Sequence, residues 1–252
     1  METELFYIYG ILKSESFKHG IANEELTAAY DRVSEEDFGQ KAIKENLQNM
    51  DWVNKHVLKH QERLNQLANK HTVIPLKFGS IFKTEESIKK MLSDQKDGFS
   101  QLLERFEGKK EWGFKLFYTE SKLQNWLKQH TSELKSVEQQ LSNLSDGGAF
   151  LLKKKHEDLL KRVTKNELNS IREEIYDIVA AITSELIVQK EQDQALTGRK
   201  DKNLLNIALL VSQEKKQQLV DKLEKIDQEL KAKSITVELS GPWPPYSFVT
   251  NG

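Results

Sequence analysis

The chain has 252 residues, enough for two ordinary cores, and balances 38 lysines and arginines against 39 aspartates and glutamates for a net charge of −1. That balance offers no bulk attraction to nucleic acid or to an anionic lipid surface, and neither is expected as a partner. The absence of cysteine excludes disulfides, thiolate metal sites and a cysteine nucleophile.

The amino end, METELFYIYGIL, is acidic where a signal peptide would be basic, and no run approaches the roughly 18 apolar residues that span a bilayer. A soluble, cytoplasmic protein is the expectation. With 31% charged against 37% hydrophobic residues, long charge-laced helices are expected around modest cores.

In chain order, Leu5 to Leu12 reads as a buried central strand, rich in aromatic and β-branched types. A weaker strand follows near Leu26 to Val33. From Phe38 to about Asn69 the apolar positions Ile43, Leu47, Trp52, Val53, Val57, Leu64 and Leu67 keep helical spacing, with no proline or glycine after Gly39. HTVIPLKFGSIF reads as a strand in which Pro75, lacking an amide donor, belongs at an edge, a start or a bulge. Thr84 before Glu85 and Glu86 marks a helix start, and Gly98 a break before Phe99, Leu102, Leu103 and Phe106.

Glu107 to Lys110 separates two periodic patterns. Domains at 1–108 and 109–252 are expected from it. EWGFKLFY alternates as a strand opening the second domain. From Ser121, Leu123, Leu127, His130, Leu134, Val137, Leu141 and Leu144 form a heptad seam on one helix, which Asp146, Gly147 and Gly148 interrupt. Phe150 to about Gln189 is helical again, so residues 121–190 read as a helical hairpin insert whose seam packs on its own partner. A polar loop, QDQALTGRKDKN, leads to the strand NLLNIALLVS, a helix over Gln213 to Lys231, and the strand SITVELS. The class is α+β and helix-rich, and the second domain runs strand, helical insert, strand, helix, strand.

Candidate chemistry is sparse. Serine–lysine pairs at SxxK spacing occur five times, at Ser80/Lys83, Ser87/Lys90, Ser93/Lys96, Ser132/Lys135 and Ser212/Lys215, which in a lysine-rich chain is the frequency of chance. His56 and His60 lie one helical turn apart, but Val57 stands where a zincin has glutamate, and spacing nominates no third ligand. Packing or a solvated face is the better reading. No phosphate-binding glycine loop and no GxSxG or GxGxxG is present. No catalytic residue, metal or cofactor is expected, and the chain does not read as an enzyme.

The tail, residues 241–252, is the most unusual text. Pro242, Pro244 and Pro245 stiffen the backbone and present Trp243, Tyr246 and Phe248. Two readings compete: a clip that holds down the protein's own domains, which is the better reading, and a preorganised docking surface for a hydrophobic partner.

Three segments, in order, resemble the gas vesicle protein F/L family (GvpL/GvpF): the run from Trp52 and His56 into TVIPLKFGSIF, then EWGFKLFY, and SGPWPPYSFV. GGAFLLKKK is similar to a further family block. The resemblance implies two α+β domains, the second modified ferredoxin-like. It implies a non-catalytic role in forming gas vesicles, with contact to the small apolar major shell protein and to other gas vesicle accessory proteins; the reading of the tail then makes Trp243, Tyr246 and Phe248 the expected contacts or their supports. The competing function is a ferredoxin-like small-ligand regulatory module, which needs a pocket of convergent polar groups.

Overall fold

A computed structural model of the chain describes residues 4–17, 19–143, 146–191 and 198–249, together with the backbone but not the side chains of 146–149. Two compact units are present: Met1–Glu111 with Pro242–Gly252, and Trp112–Gly241. The tail, expected with the second domain, therefore counts with the first, because its side chains pack and hydrogen-bond there.

The first unit is built on β1 (Glu4–Lys13), buried without interruption from Leu5 to Leu12. It pairs antiparallel with β3 (Leu26–Ser34), which pairs with β2 (Ile21–Asn23). Along its other edge β1 takes two short strands, β4 (Ile74–Pro75) and β5 (Ile81–Phe82), through Gly10↔Pro75, Ile11↔Ile74, Phe6↔Phe82 and Tyr7↔Ile81. The single strand expected over HTVIPLKFGSIF is thus two fragments. Pro75 has no donor to continue the ladder, and Gly79, at φ 82°, turns the chain between them. The Leu76 amide still donates to the Tyr9 carbonyl, and the Ile8 amide to that of Ser80.

The β1–β3 register shifts between Ile8 and Gly10, inserting one residue and changing which face alternate side chains take. Leu12 thereby joins Leu5, Tyr7 and Tyr9 in one core. A Cβ at Gly10 would lie 2.6 Å from Val73 Cγ2 and 2.7 Å from the Ile74 carbonyl oxygen. Gly10→Ala is expected to destabilise the protein by about 1–3 kcal/mol, the scale of overpacking a core, and an unchanged denaturant midpoint would refute it.

The helical run expected from Phe38 to Asn69 is three helices, α1 (Glu35–Phe38), α2 (Gln40–Asn46) and α3 (Met50–Lys70). Ser34 Oγ accepts from the Asp37 amide and starts α1; within the run, Gly39 in extended conformation separates α1 from α2, and Asn49 Oδ1, accepting from the Asp51 and Trp52 amides, starts α3. Leu64, Leu67 and Ala68 of α3 share a core with Leu5, Tyr7, Tyr9 and Leu12. Thr84 caps α4 (Glu85–Asp94) as expected, whereas the next break falls at Gln95, and Gly98 lies inside α5 (Lys96–Phe106).

The second unit holds a four-stranded sheet in the order β7-β8-β6-β9. These are β6 (Lys109–Tyr118), β7 (Glu185–Val188), β8 (Lys202–Ser212) and β9 (Ile235–Trp243). Between β6 and β7 run α6 (Glu120–His130), α7 (Ser132–Ser142) and α8 (Asp146–Ile182), and between β8 and β9 runs α9 (Lys216–Lys231) after one 3-10 turn. β8 is buried from Asn203 to Val211, and its core takes in Phe114, Leu116, Ile175, Val179, Leu219 and Leu223.

Three expectations need correction in this unit. The seam helix is broken at Thr131 into α6 and α7, so its period persists across the break. The second helix ends at Ile182, not near Gln189, and Glu185–Val188 instead pairs antiparallel with β8 through Leu186↔Leu209, Ile187↔Ala208 and Val188↔Ile207. The DGG triplet lies within the start of α8, and α7 has already ended at Ser142. Leu144 and the first half of the polar loop, 192–197, lie outside the described residues. The seam packs internally: Leu123, Leu127 and Leu134 bury with Leu160 of α8, while His130 is exposed and stacks on Trp126 at 4.2 Å.

Candidate functional site

The tail and α3 meet at one histidine. After β9, which continues through Pro242 to Trp243, Pro244 and Pro245 lead into a single helical turn, α10 (Tyr246–Val249). The Pro244 and Pro245 carbonyls accept from the Tyr246 and Phe248 amides, so the two prolines, which have no amide hydrogen of their own, start the turn that they cannot enter as donors.

His60 lies on α3 and is 4% exposed. Its Nδ1 is 2.8 Å from the Tyr7 hydroxyl and its Nε2 2.8 Å from the Tyr246 hydroxyl, while the Gly79 amide donates to Tyr7 Oη. Burial pushes the imidazole down to about 4, against a small opposing effect of a backbone hydrogen bond with Leu76. A neutral ring has one donor and one acceptor nitrogen, so one tyrosine receives a proton from His60 and the other gives one. Burial also raises both phenols, Tyr7 to about 12. The network is therefore fully protonated on its tyrosines and uncharged on its histidine at neutral pH.

The other tail contacts are equally specific. Glu111 accepts from the Ser247 amide at 2.8 Å and the Ser247 hydroxyl at 2.6 Å; burial raises its carboxyl and these two bonds partly offset the rise. Arg105 donates to the Phe248 carbonyl at 3.2 Å and its guanidinium lies 5.9 Å from the Phe248 ring centre. Phe248 is 0% exposed, Tyr246 is half-buried and Trp243 remains 38% exposed. Of the three aromatics singled out in the sequence, Phe248 is an anchor, Tyr246 a half-buried, hydrogen-bonded tether, and Trp243 the most exposed.

His56 does not join His60. Its Nδ1 lies 2.8 Å from the Trp52 carbonyl oxygen and its ring stacks on Trp52 at 4.1 Å. Among the described residues no group of three or more histidines, aspartates or glutamates is placed to hold a metal ion. A cavity of about 200 Å³ beside His60 is lined by Tyr7, Tyr9, Phe38, Asp37, His56 and Lys59 among others. Its polar groups largely bond within the protein, since Tyr9 donates to Asp31 at 2.9 Å and Tyr7 meets His60. Among the described residues no helix is long and apolar enough to cross a membrane.

Sequence reasoning missed the role of His60, Glu111 and Arg105 as the tail's hosts. The available signal was a histidine one helical turn before Leu64, but its partner lies 186 positions away.

Residues 5–250 match the family model described as gas vesicle synthesis protein GvpL/GvpF. Gas vesicle protein L of a Streptomyces species (strain CB03234) is 24% identical over 238 residues, covering 91% of this chain and 85% of that protein. The crystal structure of the gas vesicle protein GvpF from Anabaena sp. PCC7120 superposes with a TM-score of 0.69 at 17% identity, over 99% of both chains. GvpF from Microcystis aeruginosa gives 0.64 at 18% identity, over 98% of this chain and 99% of that one.

Proposed function

The chain belongs to the GvpL/GvpF family of gas vesicle synthesis proteins, and from that premise we propose that it is a non-catalytic accessory protein that binds the major shell protein and supports vesicle assembly. A gas-vesicle-related role follows from the family itself. The finer reading rests on one observation: a tail pinned by Phe248, Ser247 and Tyr246 holds the Trp243 ring partly open to solvent. A ring presented by a preorganised backbone loses little entropy on docking. Trp243 is the contact in this reading, with Tyr246 and Phe248 as its supports.

The physical task is to keep an apolar, self-associating subunit from aggregating until it joins the wall, which a charged protein with a small apolar docking area performs well. The compartment is the cytoplasm, with the vesicle as destination. We also read the second unit as modified ferredoxin-like; the order β7-β8-β6-β9, with helices between β6 and β7 and between β8 and β9, supports this. A small-ligand module drawing on the cavity beside His60 would find most of its polar groups already bonded within the protein.

Tagged chain purified from cells that express the major shell protein is expected to carry that protein with it, and deletion of the gene to impair vesicle formation. Trp243→Ala is expected to weaken capture by about tenfold or more, the scale of an aromatic hot spot, while costing less stability than loss of the fully buried Phe248 ring. Absence of capture, with normal vesicles in a deletion strain lacking a second copy, would refute the reading.

A further inference from the structure

The second unit holds a cleft of about 260 Å³ where α8 passes the end of β6 and the start of β8. Lys161, Lys165, Leu168 and Arg172 line it from one face of α8, at helical spacing. The carboxylates that line the cleft are already matched: Glu191 takes Arg172 at 3.0 Å, and Glu120 pairs with Lys202. Arg172 is held further, donating from Nε to the Leu204 carbonyl and from a terminal nitrogen to Asn169 Oδ1, both at 3.2 Å. Neither Lys161 nor Lys165 has an ion pair among the described residues, and no acidic residue stands three or four positions from Lys165 on its helix. Two ammonium groups one turn apart, which repel each other, therefore border the cleft without a counter-charge, in a chain whose net charge is −1. The Tyr118 ring packs against two hydrophobic cores of this unit, while its hydroxyl has no hydrogen-bond partner among the described residues. Burial raises that phenol, so it is a proton donor at neutral pH.

We propose that this cleft binds a phosphoryl dianion, carried by a small phosphate monoester or as free phosphate, between Lys161, Lys165 and Tyr118. Two unmatched positive charges call for two negative ones, and a phosphoryl group carries that charge on enough oxygens to meet three separate donors. Bonds from an ammonium to a phosphate oxygen are charge-assisted, and the Tyr118 hydroxyl adds a directed bond without adding charge. Leu168 and the buried Leu204 complete the wall with apolar surface suited to a short organic substituent. The cleft lies below the roughly 300 to 1,000 Å³ of pockets for drug-sized ligands, so a nucleotide would overfill it. This site goes beyond the proposed function and does not depend on it, since Trp243 belongs to the first unit.

The test is isothermal titration calorimetry of the full chain with glycerol 3-phosphate, inorganic phosphate and succinate, in a phosphate-free buffer of low ionic strength, where exposed charges are least screened. Saturable binding of a phosphate at one site per chain is expected. Lys161→Gln with Lys165→Gln is expected to weaken it by about tenfold or more, and Tyr118→Phe, which keeps the ring, by about threefold or more. Lys222→Gln with Lys225→Gln, the same loss of charge at exposed positions of α9, is expected to bind as the wild type does. Tighter binding of glycerol 3-phosphate than of inorganic phosphate would assign the site to phosphate monoesters, and equal binding to free phosphate; both outcomes support the inference. Absence of saturable binding, unchanged binding in the Lys161/Lys165 variant, or succinate binding as tightly as either phosphate would overturn it. Equal weakening in the α9 variant would overturn it too, by showing attraction to charge at large. Shell-protein capture is a separate measurement, so the proposed function stands or falls apart from this result.

Discussion

Phe248→Ala is expected to destabilise the protein by about 3 to 5 kcal/mol, the range for emptying the site of a large buried aromatic. Phe248 is 0% exposed although it stands close to the end of the chain, and it lies beside the Arg105 guanidinium that also binds its carbonyl. For a chain of this length that corresponds to a fall of roughly 6 to 20 °C in melting temperature. Removing residues 242–252 is expected to cost more, since it also leaves Glu111 and His60 without Ser247 and Tyr246. Amide exchange locates the damage: protection is expected to drop in β1 and α3 before β8, because the tail belongs to the first unit. Unchanged melting, or loss of protection in β8 first, would refute the anchoring role. Trp243→Ala, with its ring partly in solvent, supplies the contrast, expected to lower melting less than Phe248→Ala.

The second large effect is a pH dependence centred on His60. Its folded value is about 4, depressed by burial from an ordinary 6.5, so the unfolded chain takes up the proton first as pH falls. The stabilising contribution is therefore full above about pH 6.5, declines between 6.5 and 4, and is gone below 4, with a total of about 3 kcal/mol. Glu111 acts in the opposite sense. Its carboxyl is raised by burial, so acidification relieves a cost in the folded protein. Comparison with His60→Gln, which can bond both tyrosines and does not titrate, isolates the histidine: the stability difference between wild type and variant is expected to change steadily from pH 6.5 to pH 4, at the expense of the wild type. A difference that stays constant across that interval would show that His60 is not buried neutral.

The network also explains why the site was only half legible in advance. The unusual composition of GPWPPYSFV flagged the tail, and the spacing of His56 and His60 drew attention to α3, but nothing in either segment pairs them. Tyr246 and His60 are 186 residues apart, and a hydrogen bond between single side chains leaves no periodic trace in sequence. The tail's composition favours the clip over the docking strip but does not say which ring is covered, because burial of one aromatic among three depends on what lies over it. The structure assigns the three rings differently: Phe248 and Tyr246 hold, and Trp243 faces out in part.

By itself the sequence determined the elements whose signal is local and repeated. The buried central strand β1, the alternating strands β6 and β9, the apolar run of β8 and the periodic helices were all readable, because each residue there meets the same face of the same neighbour every two or every three to four positions. The tertiary structure decided where those periods are cut and what the fragments meet. It splits HTVIPLKFGSIF into β4 and β5 because both must share one edge of β1 around a turn at Gly79, and it converts the end of an expected helix into β7 because β8 has an open edge to fill. It also gives the last residues to the first unit, through Glu111, Arg105 and His60. Those choices depend on single contacts between residues far apart in the chain, whose free energy exists only once both partners have been brought into place.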